Sequence, residues 1–181
     1  MTIRAIFSLA NKDKRFLEFA TALMSRRALI AATAGTYKAI RTAPSYRQSM
    51  DNFLQPVHDL TGFREAMGGS IKTLSPYLHA ALQTQALQAE VNGKLFPRID
   101  LLCVTLRPHD DVGGPALILS ALKGRKIIVT NAAQCATAMS FLTPSGGPPD
   151  AVAEMWNDAR KMLHRSICEP MKSNVVPLRR P

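Results

Sequence analysis

Residues 61–79 of the chain combine side chains that could hold an anion. The glycine pair at residues 68–69 gives the backbone conformations that other residues avoid and allows it to approach a ligand closely. Lys72 and Thr73 follow, with one positive charge and one hydroxyl group. Ser75-Pro76 is typical of a helix start, whose unpaired N–H groups and positive dipole end attract anions. The stretch predicts a phosphate site, although an ordinary surface loop with a helix cap would use the same residues.

Small polar turns also follow other apolar segments of the chain. Lys12, residues 33–36 and residues 107–114 each come shortly after a hydrophobic run that is typical of a buried strand. Strand, polar turn and helix is the order that places phosphates at helix N-termini in parallel sheets. Because ligands of such sheets bind beyond the carboxyl ends of the strands, we expect these turns and residues 72–73 to line one crevice.

The elements that position these turns follow from the hydrophobic pattern. Continuous apolar runs predict five strands, the third of them the weakest, at residues 4–9, 28–32, 55–60, 100–106 and 125–130. Helical spacing of apolar residues alternates with these strands, at residues 16–25, from residue 36, and at 76–91, 115–122, 131–142 and 150–166. Alternating strands and helices predict an α/β fold, a Rossmann-like parallel five-stranded sheet with helices on both faces.

Length and composition limit the class of protein. The chain has 181 residues and is 46% hydrophobic, which suits one domain at residues 1–170 followed by a basic flexible tail at 171–181. No apolar run is long enough to span a bilayer and no signal pattern opens the chain, so we expect a soluble cytoplasmic protein. Cys103, Cys135 and Cys168 lack metal-site spacing, and we expect buried, reduced thiols.

The net charge of +10 calls for an anionic partner. The basic residues are scattered in small clusters rather than gathered in one stripe, and aromatic residues make up only 6% of the chain. A nucleic-acid surface gathers its basic residues in a patch or stripe, and stacking platforms for single strands need aromatic side chains. Both features therefore argue against nucleic acid. A small phosphorylated substrate explains the charge equally well through electrostatic steering.

Several motifs together resemble a known family. FSLANK from Phe7 resembles the family's FSVSDK, and the other matching motifs, in chain order, are TGFREAMGG, KTLSP with His79 behind it, DVGG, and Ala121-Leu122-Lys123. They resemble the IMP cyclohydrolase domain of the bifunctional purine biosynthesis enzyme, which has the methylglyoxal-synthase-like fold. The resemblance runs to roughly Arg165 and implies a stand-alone version, since the chain stops before any transformylase domain could begin.

The family closes a formamido-imidazole-carboxamide ribonucleotide to IMP with loss of water, and it uses no metal or organic cofactor. The resemblance therefore implies a purine-type ribonucleotide as ligand, no cofactor, and a homodimer, for which we expect Leu78, Leu82 and Trp156 to supply contacts. It implies that the substrate phosphate is held by Lys12, Thr33, Gly35, Thr36, Lys72 and Thr73. It also implies that Gly113 and Gly114 border the reacting base, and that the chemistry involves Lys72, Asp111 and Lys123.

The chain also departs from the family pattern. Thr105 and Arg107 stand where the family has asparagine and a presumed catalytic tyrosine; we include them in the expected site as a substrate-binding and a catalytic residue. Ser70 and Ser75 replace an arginine and a histidine, and the segment before DVGG is shorter. Arginine donates hydrogen bonds but does not shuttle protons near neutral pH. Two hypotheses therefore remain: a cyclohydrolase-like enzyme on a purine precursor or in a related nucleoside pathway, and a catalytically silent nucleotide-binding module. Methylglyoxal synthase activity is a weaker third.

The candidate residues also have structural interpretations. Asp111 is compatible with a cap of the helix that Pro115 opens, Lys12 with a solvated surface lysine, and His79 with a packing histidine. His109 is a candidate to replace the missing acid–base group.

Overall fold

The computed structural model describes residues 2–62, 72–107, 111–142 and 147–173, and for Lys72, Pro149 and residues 168–173 it describes the backbone alone. The predicted glycine pair at 68–69, Ser70, His109 and the tail from residue 174 therefore lie outside the described residues. Within the described residues the strands are β1 (Arg4–Leu9), β2 (Leu29–Ala32), β3 (Leu54–Pro56), β4 (Gln88–Val91), β5 (Lys94–Pro97), β6 (Leu101–Thr105) and β7 (Ile127–Val129). The helices are α1 (Lys14–Ser25), α2 (Ala34–Arg41), α3 (Val57–Thr61), α4 (Pro76–Gln83), α5 (Gly113–Lys123), α6 (Gln134–Ser140) and α7 (Pro149–Ser173), with 3₁₀ turns at Gln48–Phe53 and Lys72–Leu74.

Five strands form one parallel sheet in the order β3-β2-β1-β6-β7, so the predicted fold class is confirmed. The strand β1 pairs with β2 on one side and with β6 on the other. The helix that follows β2 packs on one face of the sheet, and the helix that follows β6 packs on the opposite face. A point where the strand order reverses in this way opens a crevice at the carboxyl ends of the strands, where ligands bind. This sheet edge is where the predicted site residues must be sought.

The two faces of the sheet are buried under different helices. Alternate residues of β1 point to opposite sides, with Phe7 in the core under α1, α2 and α6, and Ile6 in the core under α4, α5 and α7. Apolar helix stripes fill both cores, and their fully buried members include Leu23, Ile40, Leu78, Leu82, Leu117 and Ile118. Burying one such side chain stabilises the fold by about 1.5–3 kcal/mol, so both faces fix the helices firmly.

Cysteine burial is as expected where it is described. Cys103 and Cys135 are buried free thiols, and burial raises the pKa of both, that of Cys135 to about 11. They are therefore unreactive thiols near neutral pH. Among the described helices, none is long and apolar enough to cross a membrane.

The predicted helix at residues 76–91 is wrong in its second half. The helix α4 ends at Gln83, and β4 and β5 then form a separate antiparallel hairpin. Its turn is Asn92-Gly93, with φ of 52° and 73°, which is the pair favoured in two-residue hairpin loops. Tyr77 of α4 stacks on Phe96 of β5 with ring centroids 4.2 Å apart, and this contact holds the hairpin on the helix.

Three smaller expectations also need correction. The third strand is only three residues long, because Pro56 ends it and the chain turns into α3. Leu78 and Leu82 are fully buried against the chain's own sheet, so they cannot supply the expected dimer contact. The indole N–H of Trp156 donates to the Lys126 carbonyl oxygen at 2.8 Å, and α7 continues to Ser173, past the expected start of the tail.

Candidate functional site

The amino end of α2 meets the end of β1 through the side chain of Thr36. This fully buried hydroxyl accepts the Leu9 N–H at 3.0 Å and lies 3.0 Å from the Thr33 hydroxyl. The Thr33 side chain makes no capping hydrogen bond, and the first helical bond runs from the Tyr37 N–H to the Thr33 carbonyl oxygen at 2.7 Å. The earlier amides of α2 have no partner within the helix. They are thus available to an anion at this end of the sheet.

Lys12 brings a positive charge to the same place. Its ammonium group donates to the carbonyl oxygens of Leu9 and Ala10 at 3.3 and 3.4 Å. A methyl carbon built on Gly35 would lie 3.9 Å from Lys12 Nζ, so the ammonium lies directly beside the Gly35 backbone. Both residues are exposed to solvent. The structure therefore brings together four predicted phosphate ligands, namely Lys12, Thr33, Gly35 and Thr36.

Thr105 holds the turn that carries Lys12. Its hydroxyl accepts the Asn11 N–H at 2.9 Å and lies 3.4 Å from the Asn11 carbonyl oxygen, to which it donates. The Ala10 N–H donates to the Thr105 carbonyl oxygen at 3.1 Å. Through these bonds Thr105, at the end of β6, fixes the position of the turn after β1 that carries Lys12. The sequence predicted a contact with substrate for Thr105 and did not predict this structural role.

Asp111 caps the helix that opens with Gly113. One carboxylate oxygen accepts the Gly114 N–H at 2.7 Å and the other accepts the Arg107 N–H at 3.1 Å. The cap interpretation is therefore confirmed, and the carboxylate also ties the Arg107 backbone to the start of α5. A carboxylate has about four lone-pair positions, so two remain for another partner.

Gly114 is required by this cap. A side chain there would overlap Leu106 Cδ2 and would lie 2.9 Å from Asp111 Oδ2. Gly113 and Gly114 are both buried, while Arg107 is exposed and contributes its backbone N–H to the loop. Gly114 thus lies against the Asp111 carboxylate, and Gly113 precedes it as the first residue of α5.

The Lys72–Leu74 turn packs against the helices α4 and α5. Thr73 is buried at 6% exposure, and the side chain of Lys72 lies outside the described atoms. Ser75 occupies the cap position of α4, as expected, but its side chain makes no cap bond. Its buried hydroxyl has no hydrogen-bond partner in the described part of the chain.

His79 contacts the neighbouring helix α5. Its Nδ1 lies 2.8 Å from the Ser120 hydroxyl of that helix. Burial lowers the pKa of His79, and donation from the ring to the backbone carbonyl of Thr73 opposes that effect in part. The packing interpretation of His79 agrees with these contacts. Ser120 was missed in the sequence, because nothing in the local pattern around it indicates a polar contact across two helices.

Lys123 is not brought to the crevice. It is the last residue of α5, exposed, and roughly 15 Å from Gly113 along the helix axis at 1.5 Å per residue. That separation exceeds the length of a lysine side chain. The expected grouping of Lys123 with Asp111 is therefore corrected, because the helix between them places them at opposite ends.

Asp13 is a further carboxylate near Lys12 that the sequence did not single out. It caps α1 by accepting the Arg15 N–H at 2.9 Å, and it forms an ion pair with the Arg15 guanidinium at 2.8 Å. These bonds lower the pKa of Asp13 to about 2. Asp13 is thus committed to α1 and does not neutralise Lys12. Within the described ranges, no group of three His, Cys, Asp or Glu side chains could hold a metal ion.

Comparison with known proteins identifies relatives. The chain is 34% identical to the bifunctional purine biosynthesis protein PurH of Jannaschia sp. (strain CCS1), over 77% of this chain and 29% of that protein. It is 32% identical to PurH of Parvibaculum lavamentivorans, over 80% of this chain and 29% of that protein. It is 35% identical to PurH of Deinococcus deserti, over 68% of this chain and 26% of that protein. The chain thus spans less than a third of the length of these relatives.

A solved structure extends the likeness to the whole fold. A crystal structure of ForH superposes with a TM-score of 0.64 and 25% sequence identity, over 92% of this chain and 93% of that chain. No family model matches the chain. The likeness agrees with the methylglyoxal-synthase-like arrangement of the five-stranded sheet.

Proposed function

The chain belongs to the PurH family as a divergent relative of one segment of those proteins, and on this premise we propose that it is an IMP cyclohydrolase-like enzyme. Its reaction is the dehydrative ring closure of a formamido-imidazole-carboxamide ribonucleotide, or of a related purine-precursor nucleotide. The observation that carries the proposal is the convergence of the turns after β1, β2 and β6 where the strand order reverses. We propose that it acts in the cytoplasm as a homodimer.

The phosphate end of the substrate belongs at the start of α2. The Lys12 ammonium beside Gly35 offers a full positive charge, and the first amides of α2, which have no partner within the helix, offer hydrogen-bond donors. Thr33 adds a hydroxyl that faces this helix start, while the buried Thr36 fixes the distance between β1 and α2. Lys72 and Thr73 complete the phosphate site in this proposal.

The reacting end of the substrate belongs beside Asp111. In ring closure the carboxamide nitrogen attacks the formyl carbon, loses a proton and forms a tetrahedral intermediate, which then expels water. The Asp111 carboxylate retains lone pairs that can accept the proton, and its position is fixed by Gly114 and Arg107. Lys72 stabilises the oxyanion, and the Arg107 guanidinium donates hydrogen bonds where a tyrosine stands in the family.

A second candidate function is a nucleotide-binding module without turnover. The engagement of both Asp111 oxygens by backbone N–H groups supports this alternative, as does the replacement of the tyrosine by Arg107. Both functions require the same phosphate site. A binding assay therefore tests what they share, and a turnover assay separates them.

We expect IMP to bind more tightly than inosine, and salt to weaken the binding of IMP, because the phosphate contacts Lys12 and the amides of α2. Isothermal titration calorimetry at two salt concentrations measures both effects. Lys12→Gln should reduce the preference for IMP, whereas Lys14→Gln, the same change at an exposed lysine paired with Glu18, should not. Equal affinity for IMP and inosine in the wild type would contradict the phosphate site.

We expect the protein to form a homodimer in solution. The contact must come from surfaces other than Leu78 and Leu82, and exposed leucines such as Leu95 and Leu119, at 61% and 55% exposure, are available. Multi-angle light scattering over a wide range of concentrations checks the mass. A monomer at every concentration would rule the dimer out.

A further inference from the structure

The edge of the central sheet opposite the crevice gathers basic residues that are far apart in the sequence. The strands β2, β1, β6 and β7 lie side by side, and the register of their pairing places their first residues in nearly one row. Each strand brings a basic residue to this row, and together with the end of α5 they form what we call the basic edge: Arg4, Arg26, Arg27, Arg98, Lys123, Arg125 and Lys126. Neighbouring strands are about 4.8 Å apart, so the row spans about 14 Å.

Most of the positive charge of the basic edge is not neutralised within the described part of the chain. Asp100 is the one carboxylate among residues 2–4, 26–29, 98–101 and 123–127. Its two oxygens accept the Arg98 Nε–H at 2.8 Å and the Arg4 backbone N–H at 3.0 Å. Lys126 is buried and donates to the Thr84 carbonyl oxygen at 2.6 Å. The exposed cations, in contrast, have no ion-pair partner in the described ranges, and they are Arg26, Arg27, Lys123 and Arg125.

Arg27 occupies a backbone position that usually belongs to glycine. Beyond the end of α1, the Ala28 N–H donates to the Leu23 carbonyl oxygen at 3.1 Å, and the Arg27 N–H donates to the Met24 carbonyl oxygen at 2.8 Å. These two bonds define a Schellman motif, whose left-handed residue is most often glycine. Here that residue is Arg27, with φ of 62°. A side chain costs free energy in this conformation, so the local backbone does not explain the choice of arginine.

Arg125 repeats this arrangement beyond the end of α5. The Lys126 N–H donates to the Ala121 carbonyl oxygen at 2.9 Å, and the Arg125 N–H donates to the Leu122 carbonyl oxygen at 3.1 Å. The φ of Arg125 is 51°. The two left-handed arginines thus enter β2 and β7, the outermost strands of the row. A cation in the last turn of a helix would favour the helix dipole without this backbone cost, which indicates that both charges serve a partner outside the chain.

We propose that the basic edge binds the phosphate backbone of a nucleic-acid duplex without regard to base sequence. Arginine pairs with phosphate oxygens through two parallel hydrogen bonds. The described residues of the edge include no aromatic side chain on which unpaired bases could stack, which favours a duplex over a single strand. The row is also close to the roughly 12 Å width of the duplex major groove, so Arg27 and Arg125 can reach both phosphate backbones.

This activity is independent of the function proposed above, because it uses the opposite edge of the sheet. The basic clusters are separate along the chain, and the strand order alone brings them together. Fluorescence anisotropy with a labelled DNA duplex of about 20 base pairs measures the binding. Four exposed cations that each meet a phosphate give a slope of about −3.6 for log K against log salt. The affinity should therefore fall about a hundredfold between about 50 and 200 mM salt.

The double variant Arg27→Gly with Arg125→Gly tests the two left-handed positions. It should make the salt slope shallower by about two units and lower the affinity for the duplex about a hundredfold at low salt. Glycine relieves the backbone at both positions, so the melting temperature should stay the same or rise by about 2–4 °C, and a loss of binding cannot then be attributed to unfolding. The affinity for IMP should equal that of wild type.

The matched control is Lys14→Gln with Lys161→Gln. It removes the same two charges from exposed lysines that pair with Glu18 and Asp158. Its affinity for the duplex should stay within about threefold of wild type, since these lysines lie outside the basic edge.

Several results would overturn the proposal. One is that wild type fails to bind the duplex at low salt, or binds a single strand of the same length, poly-glutamate or phosphatidylserine vesicles more tightly. Another is an equal loss of duplex affinity in the lysine control, which would show that net charge alone attracts the duplex. A lower melting temperature of the glycine variant with unchanged duplex affinity would show that the two arginines serve the ends of their own helices.

Discussion

Asp111→Asn is expected to lower the rate of ring closure by roughly a hundredfold or more, the effect of removing a general base, while IMP binding survives. The substitution nearly preserves the shape of the side chain and removes its charge. An amide oxygen can still accept one of the two N–H donors, but the amide nitrogen would face the other, so the loop between Arg107 and Gly114 also loosens. The assay is the conversion of the formamido precursor to IMP, followed by absorbance, with IMP affinity measured in parallel.

Two further variants define what this result means. Gly114→Ala keeps the charge but pushes the carboxylate out of place, so it should also reduce the rate. Asp59→Asn removes an exposed carboxylate of α3, paired with His58, and should leave the rate unchanged. If wild type shows no turnover above the buffer rate and Asp111→Asn binds IMP as well as wild type does, the cyclohydrolase proposal fails for that substrate. The nucleotide-binding module would then take its place.

Gly124→Ala is expected to destabilise the protein by about 3 kcal/mol or more, because the added methyl group overlaps backbone that cannot move without disturbing a helix. A side chain at this position would overlap the Leu82 carbonyl oxygen and lie 2.9 Å from Gln83 Cα, both at the end of α4. The φ of Gly124 is −80°, which any residue adopts, so space rather than conformation requires glycine here. The melting temperature should fall by roughly 6–12 °C for a chain of this size.

Thermal unfolding followed by circular dichroism checks this expectation. Gly35→Ala, in the first turn of α2, is the matched control, since the same methyl group would meet only the Lys12 side chain, with Cε at 3.7 Å and Nζ at 3.9 Å, both ordinary contact distances. Its stability should change by less than about 1 kcal/mol, with alanine the better helix former. A similar melting temperature for Gly124→Ala and wild type would show that α4 and α5 can separate at that end.

The sequence predicts the central sheet well and the hairpin badly, for one physical reason. Continuous apolar runs mark strands buried on both faces, as in β1 and β6, and few other structures produce them. The hairpin strands are largely exposed, so their pattern is weak. Leu87 extended the apparent helical spacing of α4 past Gln83. The Asn92-Gly93 pair is the local signal from which the hairpin could have been predicted.

The sequence predicts those parts of the candidate site that lie in turns directly after strands. Lys12 and Gly35 meet because parallel strands carry the turns that follow them to one edge of the sheet. A linear motif does not show how far apart a helix holds its ends, which explains the wrong placement of Lys123. The contact between His79 and Ser120 depends on how α4 and α5 are rotated against each other, and residue types alone do not determine that rotation.

The central place of β1 in the sheet has a consequence for biosynthesis. Its first partner, β2, emerges soon after it, but its second partner, β6, comes late, as the sequence separation of 96 between Arg4 and Asp100 shows. At ribosomal speed that delay is roughly 5–20 s, during which one side of β1 has no strand to pair with. An apolar strand with an open edge is a template for pairing with other nascent chains. The nascent protein is therefore most prone to aggregate before translation reaches Leu101, and slower synthesis lengthens that exposure.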